Sequence, residues 1–257
     1  MTEKPTIKKA DLEYIDNETK EFMGLDFHFD GGHLGGMAIK ESCSVELIYS
    51  PEWDKWINAM VQTAFTTWDN GIEISINHIP KEKREQIVLD YLKKRPISAV
   101  LESACFVFHI KNIPRTMTHQ IVRYRGMSFN QESFRVSPAH HSDVRIPQSL
   151  STEDQADLSI LFGKLRETYV KLVKERHPIE QVRNILPMGT CTNITMTTNL
   201  KALQGYIKAR TLDITQDEHT YIVMLIAKQL KEKAPQFYDN FIKNDKLEKF
   251  IEQYEVD

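Results

Sequence analysis

The residues from Arg123 to Arg135 carry a dense set of side chains that can bind an anion. This stretch contains three arginines, two serines and two side-chain amides, and Glu132 is its only acidic residue. Arginine has a planar, permanently charged fork that pairs bidentately with phosphate and carboxylate groups. Arginines at fixed offsets beside serine hydroxyls therefore predict a site for an anionic ligand, and a solvated basic surface is the alternative.

The composition of the whole chain limits the kind of ligand. The chain has 257 residues, of which 41% are hydrophobic, enough for the core of one large domain or two small ones. Its formal net charge is -3, so binding to nucleic acid is not expected. The three cysteines lie far apart and predict neither a disulfide framework nor a zinc site. Without a membrane-length apolar run or a signal peptide, we expect a soluble, cytoplasmic protein that contacts no membrane.

Hydrophobic patterns upstream of Arg123 predict two strands and three helices. Apolar residues that alternate with polar ones are typical of a strand, and an apolar spacing of three or four is typical of a helix. The predicted elements are a strand at Ser44–Tyr49, a helix from Pro51 to Asn70, a helix over 81–95, a buried strand at 101–110 and a helix that Pro114 opens. Cys105 and His109 share a face of the second strand and are expected to be core residues.

Downstream of Arg135 the patterns predict a loop, several helices and one strand. The loop at 136–150 includes His140 and His141, whose adjacent side chains make a poor metal chelate, and no metal site is expected. The elements that follow are a long helix from Thr152 with Leu158, Leu161, Leu165, Tyr169 and Leu172 inward, a helical turn with Glu180 and Arg183 on one face, a strand at 190–198, a helix capped by Asn199 that ends near Arg210, a helix with a capping box of Thr215 and Glu218, and a last helix after Pro235. Together they predict an α+β fold with a mixed or antiparallel sheet flanked by helices.

The spacing within 123–135 resembles the signature of the flavin-dependent thymidylate synthases. That signature reads Arg-His-Arg-x-x-Ser-x-Asn-x-x-Ser-x-Arg, and this chain keeps six of its seven fixed positions, with Tyr124 in place of the histidine. Glu180, Arg183 and Arg210 also recur at spacings like those of the family. The similarity covers roughly 45–243, so 1–42 is predicted to be an N-terminal extension and 43–257 the family domain. The resemblance implies a homotetramer in which each active site is assembled from several subunits.

The reaction that the resemblance implies is the flavin- and folate-dependent C5 methylation of a pyrimidine nucleotide, dUMP, to dTMP. Methylenetetrahydrofolate would supply the carbon, reduced FAD the hydride, and NADPH would reduce the flavin. The enzyme must hold the phosphate and stabilise negative charge on the uracil ring, and the second task is assigned to Arg210 as the catalytic residue. By the resemblance, Ser133, Arg135 and Arg183 match the family's phosphate contacts. Ser133 could also be a nucleophile by residue type, but no histidine base is positioned beside it in sequence, so phosphate binding is the better assignment. The full set of implied substrate-binding residues is Gln120, Arg123, Gln131, Glu132, Ser133, Phe134, Arg135, Glu180, Arg183 and Arg210.

The residues implied in cofactor binding depart from the family pattern at several positions. They are Arg123, Tyr124, Arg125, Gln131, Asn199, Lys201 and Gly205. Tyr124 replaces histidine, Lys201 replaces arginine, and Gly205 replaces asparagine or histidine. The segment Ile97-Ser98-Ala99 stands where the family has His-x-Thr or His-x-Ser. Because an aromatic Tyr124 can stack or hydrogen-bond where histidine did, FAD binding is still the expectation.

The altered cofactor residues leave two other functions open. One is a related C5-alkylase that acts on UMP or another pyrimidine nucleotide and leaves a methyl or hydroxymethyl group. The other is a non-catalytic nucleotide-binding paralogue that has lost the flavin. The presence of Arg210 argues against the paralogue, since ring activation needs this residue more than phosphate binding does.

Overall fold

The structure of this protein is a computed structural model that describes residues 43–66, 78–94, 99–137, 139, 142–147, 149–212 and 215–255. Four of the features predicted above lie outside the described residues: the extension at 1–42, the Asn70 helix stop, the pair Ile97-Ser98, and the histidines His140 and His141. The division of the chain at residue 42 therefore stays a prediction.

Four strands form one sheet in the described part of the chain. They are β1 (Ser44–Tyr49), β2 (Cys105–Pro114), β3 (Ser128–Gln131) and β4 (Cys191–Asn199), in the order β1-β2-β4-β3. β1 and β2 are antiparallel, with Val45 opposite Ile110 and Leu47 opposite Phe108. The predictions of β1 and of a strand near 190–198 are confirmed.

The predicted strand at 101–110 is corrected at both ends and in its burial. It begins at Cys105 because Ala99–Glu102 form a helical turn, and it extends to Pro114. Within 105–110 the buried residues are Phe106, Phe108 and Ile110, so the alternate positions there point away from the core, and Ile113 and Pro114 are buried at the end of the strand. Cys105 is exposed and His109 is only half-buried, and the prediction that they are core residues is wrong.

Helices make up most of the remaining described chain. They are α1 (Trp53–Thr66), α2 (Lys81–Lys94), α3 (Ala99–Glu102), α4 (Arg115–Ile121), α5 (Thr152–Lys174), α6 (Ile179–Val182), α7 (Leu200–Arg210), α8 (Asp217–Lys233), α9 (Pro235–Phe237) and α10 (Asp245–Glu255), with a 3-10 turn at Arg183–Ile185 and a π turn at Tyr238–Ile242. The α+β prediction is confirmed by this combination of helices with an antiparallel sheet. Among the described helices, none has the length and apolar character needed to span a membrane.

Contacts divide the described chain into two compact units. The first unit contains 112–116 and the described residues of 131–192, and the second contains the described residues of 43–111, 117–130 and 193–255. In the first unit the core is a cluster of Phe134, Ala139, Tyr169, Val170, Val173 and Val182. In the second unit α1 packs on α2, and α8 packs on β1, where the Gln229 amide donates to the Val45 carbonyl at 2.7 Å.

Helix α5 follows the prediction in extent but not in its buried face. Its buried side chains are Arg166, Tyr169, Val170 and Val173, all in its C-terminal half, and Leu161 is 50% exposed. The predicted leucine stripe is therefore wrong in the N-terminal half, because only the later turns pack on the cluster around Tyr169.

Helices α7 and α8 lie in the second unit, and α7 ends at Arg210, the predicted catalytic residue. Asn199 caps α7 as predicted, and its Oδ1 accepts a hydrogen bond from the Ala202 amide at 2.9 Å. The predicted capping box of α8 is wrong. The N-cap residue is Gln216, and its side chain donates to the Glu218 carboxylate at 2.7 Å.

Candidate functional site

Five of the residues predicted to bind the cofactor line one cavity of the second unit. They are Tyr124, Arg125, Asn199, Lys201 and Gly205, and the cavity has a volume of about 990 Å³. The segment after α4, the outer face of α7 and the residues 241–244 form its walls. Arg123 is exposed and is not among the described residues of this lining, and Gln131 belongs to the first unit.

The cavity lining is rich in positive charge. Arg125, Lys201, Lys208 and Lys243 all contribute, and Glu102 is the acidic residue among the described lining. Gly126 has a φ of 95°, a left-handed conformation that favours glycine directly after Arg125. The arrangement suits a ligand that carries more than one negative charge.

Tyr124 and Gly205 are structurally coupled. The Tyr124 ring packs edge-on against Tyr206, with centroids 5.3 Å apart and planes at 66°. A Cβ atom on residue 205 would overlap the Tyr124 hydroxyl and lie 3.5 Å from its Cζ. The tyrosine therefore occupies space that a side chain at position 205 would need, so these two departures from the family pattern accommodate each other.

We expect the substitution Gly205→Ala to be less favourable than its helical position suggests. Alanine within a helix normally stabilises by roughly 0.5–1 kcal/mol relative to glycine. Here the new Cβ would push the Tyr124 ring off Tyr206, a contact of the kind worth about 0.5–1.5 kcal/mol. In a Tyr124→Phe background the overlapping hydroxyl is gone and the remaining contact with Cζ is ordinary, so Gly205→Ala should regain its stabilising effect.

The coupling is measured by urea unfolding of the parent, the two single variants and the double variant, all at one protein concentration. The expected interaction energy between the two substitutions is about 1–2 kcal/mol. Gly163→Ala, in α5, is the matched control and should be stabilising in both backgrounds. Equal effects of Gly205→Ala with and without the Tyr124 hydroxyl would disprove the coupling.

Arg210 ends α7 with part of its guanidinium inside the protein. Its Nε is buried and has no hydrogen-bond partner among the described residues, and its backbone carbonyl accepts from the Thr220 hydroxyl at 3.1 Å. Burial raises the pKa of both Tyr124 and Tyr206, and the nearby Arg210 charge lowers these pKa values in part. A buried guanidinium nitrogen is costly to leave unsatisfied, so this position suits a polar ligand.

A buried histidine that the sequence did not predict lies beside Arg210. His219 is fully buried on α8, and its Nε2 lies 2.7 Å from the Tyr206 hydroxyl. Its Nδ1 lies 3.4 Å from Oε1 of Gln120, a predicted substrate-binding residue. Burial, followed by the Arg210 charge, lowers the pKa of His219 from 6.5 to about 4, so the imidazole is neutral at pH 7. The sequence feature that could have identified His219 is its position in the apolar stripe of the predicted helix that became α8.

Two of the predicted substrate residues of the first unit, Glu132 and Phe134, contact Arg115. The Arg115 guanidinium lies 4.0 Å from the centroid of the Phe134 ring, and its Nη2 donates to the Glu132 carbonyl at 3.0 Å. The Glu132 carboxylate accepts from the hydroxyls of Ser137 at 3.1 Å and Thr192 at 3.3 Å. Arg115 was not predicted as a site residue, because it lies outside the signature and only the fold brings it to Glu132.

Phe134 anchors the signature turn. The residue is 5% exposed and its side chain belongs to the hydrophobic cluster. The Ser133 carbonyl accepts from the backbone amides of Val136 and Ser137, both at 2.9 Å. Arg135 is exposed on this turn. The turn therefore holds Arg135 at a fixed position on the surface of the unit.

Arg183 lies near Arg115 in the same unit. Burial lowers the pKa of Arg115, Glu132 raises it, and the Arg183 charge lowers it further. Glu180 is exposed, and its carbonyl, not its carboxylate, accepts from Arg183 Nε at 3.4 Å. The positive charges of Arg115 and Arg183 repel each other, so a bound anion would stabilise the arrangement.

Several proteins resemble this chain over more than half of its length. A flavin-dependent thymidylate synthase of Corynebacterium aurimucosum is 26% identical over 179 residues, which cover 63% of this chain and 72% of that protein. The protein of the same name from Sulfurisphaera tokodaii is 27% identical over 161 residues, or 58% of this chain and 63% of that protein, which is less than two thirds of its length. A third, from Thermotoga neapolitana, is 26% identical over 178 residues, which cover 66% of this chain and 82% of that protein.

The match to the family itself is longer than these pairwise alignments. Residues 47–236 match the sequence profile described as thymidylate synthase complementing protein. This segment includes the signature turn, α7 and the cavity residues from Tyr124 to Lys208. Because the match covers more than half of the chain, this protein belongs to the thymidylate synthase complementing protein family, an enzyme family whose curated relatives are named flavin-dependent thymidylate synthase.

Proposed function

We propose that this protein is a flavin-dependent thymidylate synthase that methylates C5 of dUMP with FAD, NADPH and methylenetetrahydrofolate. The observation that carries the proposal is the cavity of about 990 Å³ in which Tyr124, Arg125, Asn199, Lys201 and Gly205 meet. These residues come from two segments far apart in sequence, and each was assigned to the cofactor by resemblance alone. Their convergence on one cavity is the arrangement that a shared ligand requires.

The cavity fits a flavin dinucleotide in size and charge. Its volume lies at the upper end of the range for ligand pockets, about 300–1,000 Å³. Arg125, Lys201 and Lys208 can pair with a pyrophosphate, and the Tyr124 ring offers a surface for stacking. Asn199 uses Oδ1 for the helix cap, so its amide nitrogen is the end that can donate to a ligand. When bound, the flavin would supply the hydride and the folate the carbon.

Arg210 is proposed to stabilise the negative charge that develops on the uracil ring as C5 becomes nucleophilic. Its guanidinium is held at the end of α7 with Nε buried, so it needs little rearrangement to meet that charge. The adjacent His219 is neutral at pH 7 and does not compete for the anion. Arg210 is thus the fixed positive charge beside Tyr206.

The phosphate of the nucleotide is proposed to bind in the first unit. Ser133, Arg135 and Arg183 are the assigned contacts, and Arg115 adds a guanidinium close to Arg183. The proposal includes the homotetramer that the family resemblance implies, with each site formed by several subunits, in the cytoplasm and without nucleic acid or membrane as partner. It also takes 43–257 as the catalytic domain.

Visible absorption spectroscopy tests the function. The purified protein is titrated with FAD, and then dUMP and UMP are added separately. We expect a bound-flavin spectrum that dUMP perturbs, because the proposed site joins flavin and uracil nucleotide, and the UMP titration shows whether the ribonucleotide binds as well. The variant Lys249→Ala, at an exposed position of α10, serves as the control and should give the same spectra.

Each other outcome of that titration points to a different function. Perturbation by UMP alone would replace the proposal with a related C5-alkylase, which the altered Tyr124 and Gly205 pair makes the second candidate. Nucleotide binding without flavin would indicate a nucleotide-binding paralogue, and the cavity assignment would then be wrong.

A further inference from the structure

We propose that Tyr206 and His219 are positioning residues that hold the side-chain amide of Gln120 in one orientation beside Arg210. The inference rests on the proposed function, in which Gln120 binds the nucleotide. It adds two residues that neither the signature nor the family resemblance assigned. Both are fully buried, so they act through Gln120 and not by touching the nucleotide.

A chain of four hydrogen bonds fixes the direction of every donor. It starts at the Glu218 carboxylate, which can only accept, so the Gln216 nitrogen must face it, at 2.7 Å. The Gln216 oxygen then faces outward and accepts from the Gln120 nitrogen at 3.0 Å. This leaves the Gln120 oxygen toward His219 Nδ1, at 3.4 Å.

The orientation of Gln120 in turn decides the tautomer of the imidazole. An amide oxygen only accepts, so His219 Nδ1 must carry the proton. In a neutral ring Nε2 is then an acceptor, and the Tyr206 hydroxyl donates to it at 2.7 Å. One tautomer satisfies both contacts, and flipping any amide in the chain would place two like groups against each other.

Burial makes the Tyr206–His219 end of this arrangement rigid, whereas the hydrogen bonds that Gln216 makes with Gln120 and Glu218 are exposed. Tyr206 and His219 are 0% exposed, so water cannot easily replace a lost partner at either ring. The lowered pKa of His219 supports the neutral form that the geometry requires. Gln120, by contrast, is half-buried and has capacity left for a ligand, with its second N–H and the second lone pair of its oxygen. The nucleotide therefore meets an amide whose orientation the buried imidazole favours.

Two substitutions of His219 separate positioning from packing. Asparagine places a nitrogen near the position of Nδ1 and can still donate to Gln120, but it cannot reach Tyr206. Glutamine places an oxygen near the position of Nε2 and can still accept from Tyr206, but it does not donate to Gln120. Each variant loses one of the two hydrogen bonds, so a purely structural role would be disturbed similarly by both.

Calorimetric titration of the FAD-loaded protein with dUMP is the measurement. We expect His219→Gln to weaken dUMP binding by about tenfold and His219→Asn to stay within about twofold of the parent. In a Gln120→Ala background, His219→Gln should cause no further loss, because its effect passes through Gln120. The melting temperatures of the two His219 variants should fall by similar amounts.

The alternatives are distinguishable. Equal losses of affinity in His219→Gln and His219→Asn, or fully additive losses with Gln120→Ala, would overturn the positioning role while leaving the proposed function in place. A parent protein that binds no uracil nucleotide would overturn both.

Discussion

Replacing Arg210 with alanine is expected to lower kcat for dTMP formation by about 100- to 1,000-fold, the range for removing one group that stabilises transition-state charge. The fold and the oligomeric state should be unchanged. Arg210 Nε has no hydrogen-bond partner among the described residues. Removing this nitrogen therefore breaks no hydrogen bond within the described part of the chain. The hydrogen bond from the Thr220 hydroxyl to the Arg210 backbone carbonyl does not involve the Arg210 side chain and should remain.

The measurement is single-turnover formation of dTMP, with circular dichroism and size-exclusion chromatography as checks on structure. Arg210→Lys keeps the charge but loses the planar fork, so its rate should lie between those of the parent and the alanine variant. Lys249→Ala removes an exposed charge from α10 and should react like the parent. Near-normal turnover by Arg210→Ala would refute its assignment as the catalytic residue.

Sequence patterns predicted the helices and strands that are determined by interactions between residues close together in the chain. Asn199 and the apolar spacing behind it were enough to predict α7 from its cap to Arg210, because a capped helix end is a local interaction. The strand β1 was predicted from alternation alone. The same local logic failed at Thr215 and Glu218, where the Gln216 side chain takes the carboxylate that the capping box would have used.

The parts that could not be predicted depend on contacts between distant segments. Tyr206 is 13 positions from His219, and His219 is 99 positions from Gln120, so no spacing rule joins them. The direction in which Cys105 and His109 face was similarly open, because an alternating strand has two faces and tertiary packing chooses the buried one.

The cofactor residues show a mixed case. Tyr124 and Gly205, 81 positions apart, were each recognised as departures from the family. Only the structure shows that a Cβ atom at position 205 would overlap the Tyr124 hydroxyl. Residue types at a signature can thus identify which chemistry to look for, whereas the complementarity between two substitutions is a property of the folded chain.

Replacing Arg135 with alanine is expected to weaken dUMP binding by about 1.5–3 kcal/mol, the range for one hydrogen bond to a charged group. The turn that carries Arg135 should remain in place, since Phe134 is anchored in the hydrophobic cluster and the Ser133 carbonyl accepts two backbone amides. Because Arg135 is exposed, its removal leaves no cavity in the core. Binding by the variant should also depend less on salt concentration, as one ionic contact is lost.

The comparison of dUMP with deoxyuridine makes this test specific to the phosphate. If Arg135 pairs with the phosphate, calorimetry should show a loss of affinity for dUMP and none for deoxyuridine, which lacks that group. Lys171→Ala removes another exposed cation of the first unit and should change neither affinity. Arg135→Lys should recover part of the loss through its charge. Equal weakening of both ligands would mean that Arg135 supports the pocket as a whole, and unchanged dUMP affinity would remove Arg135 from the site.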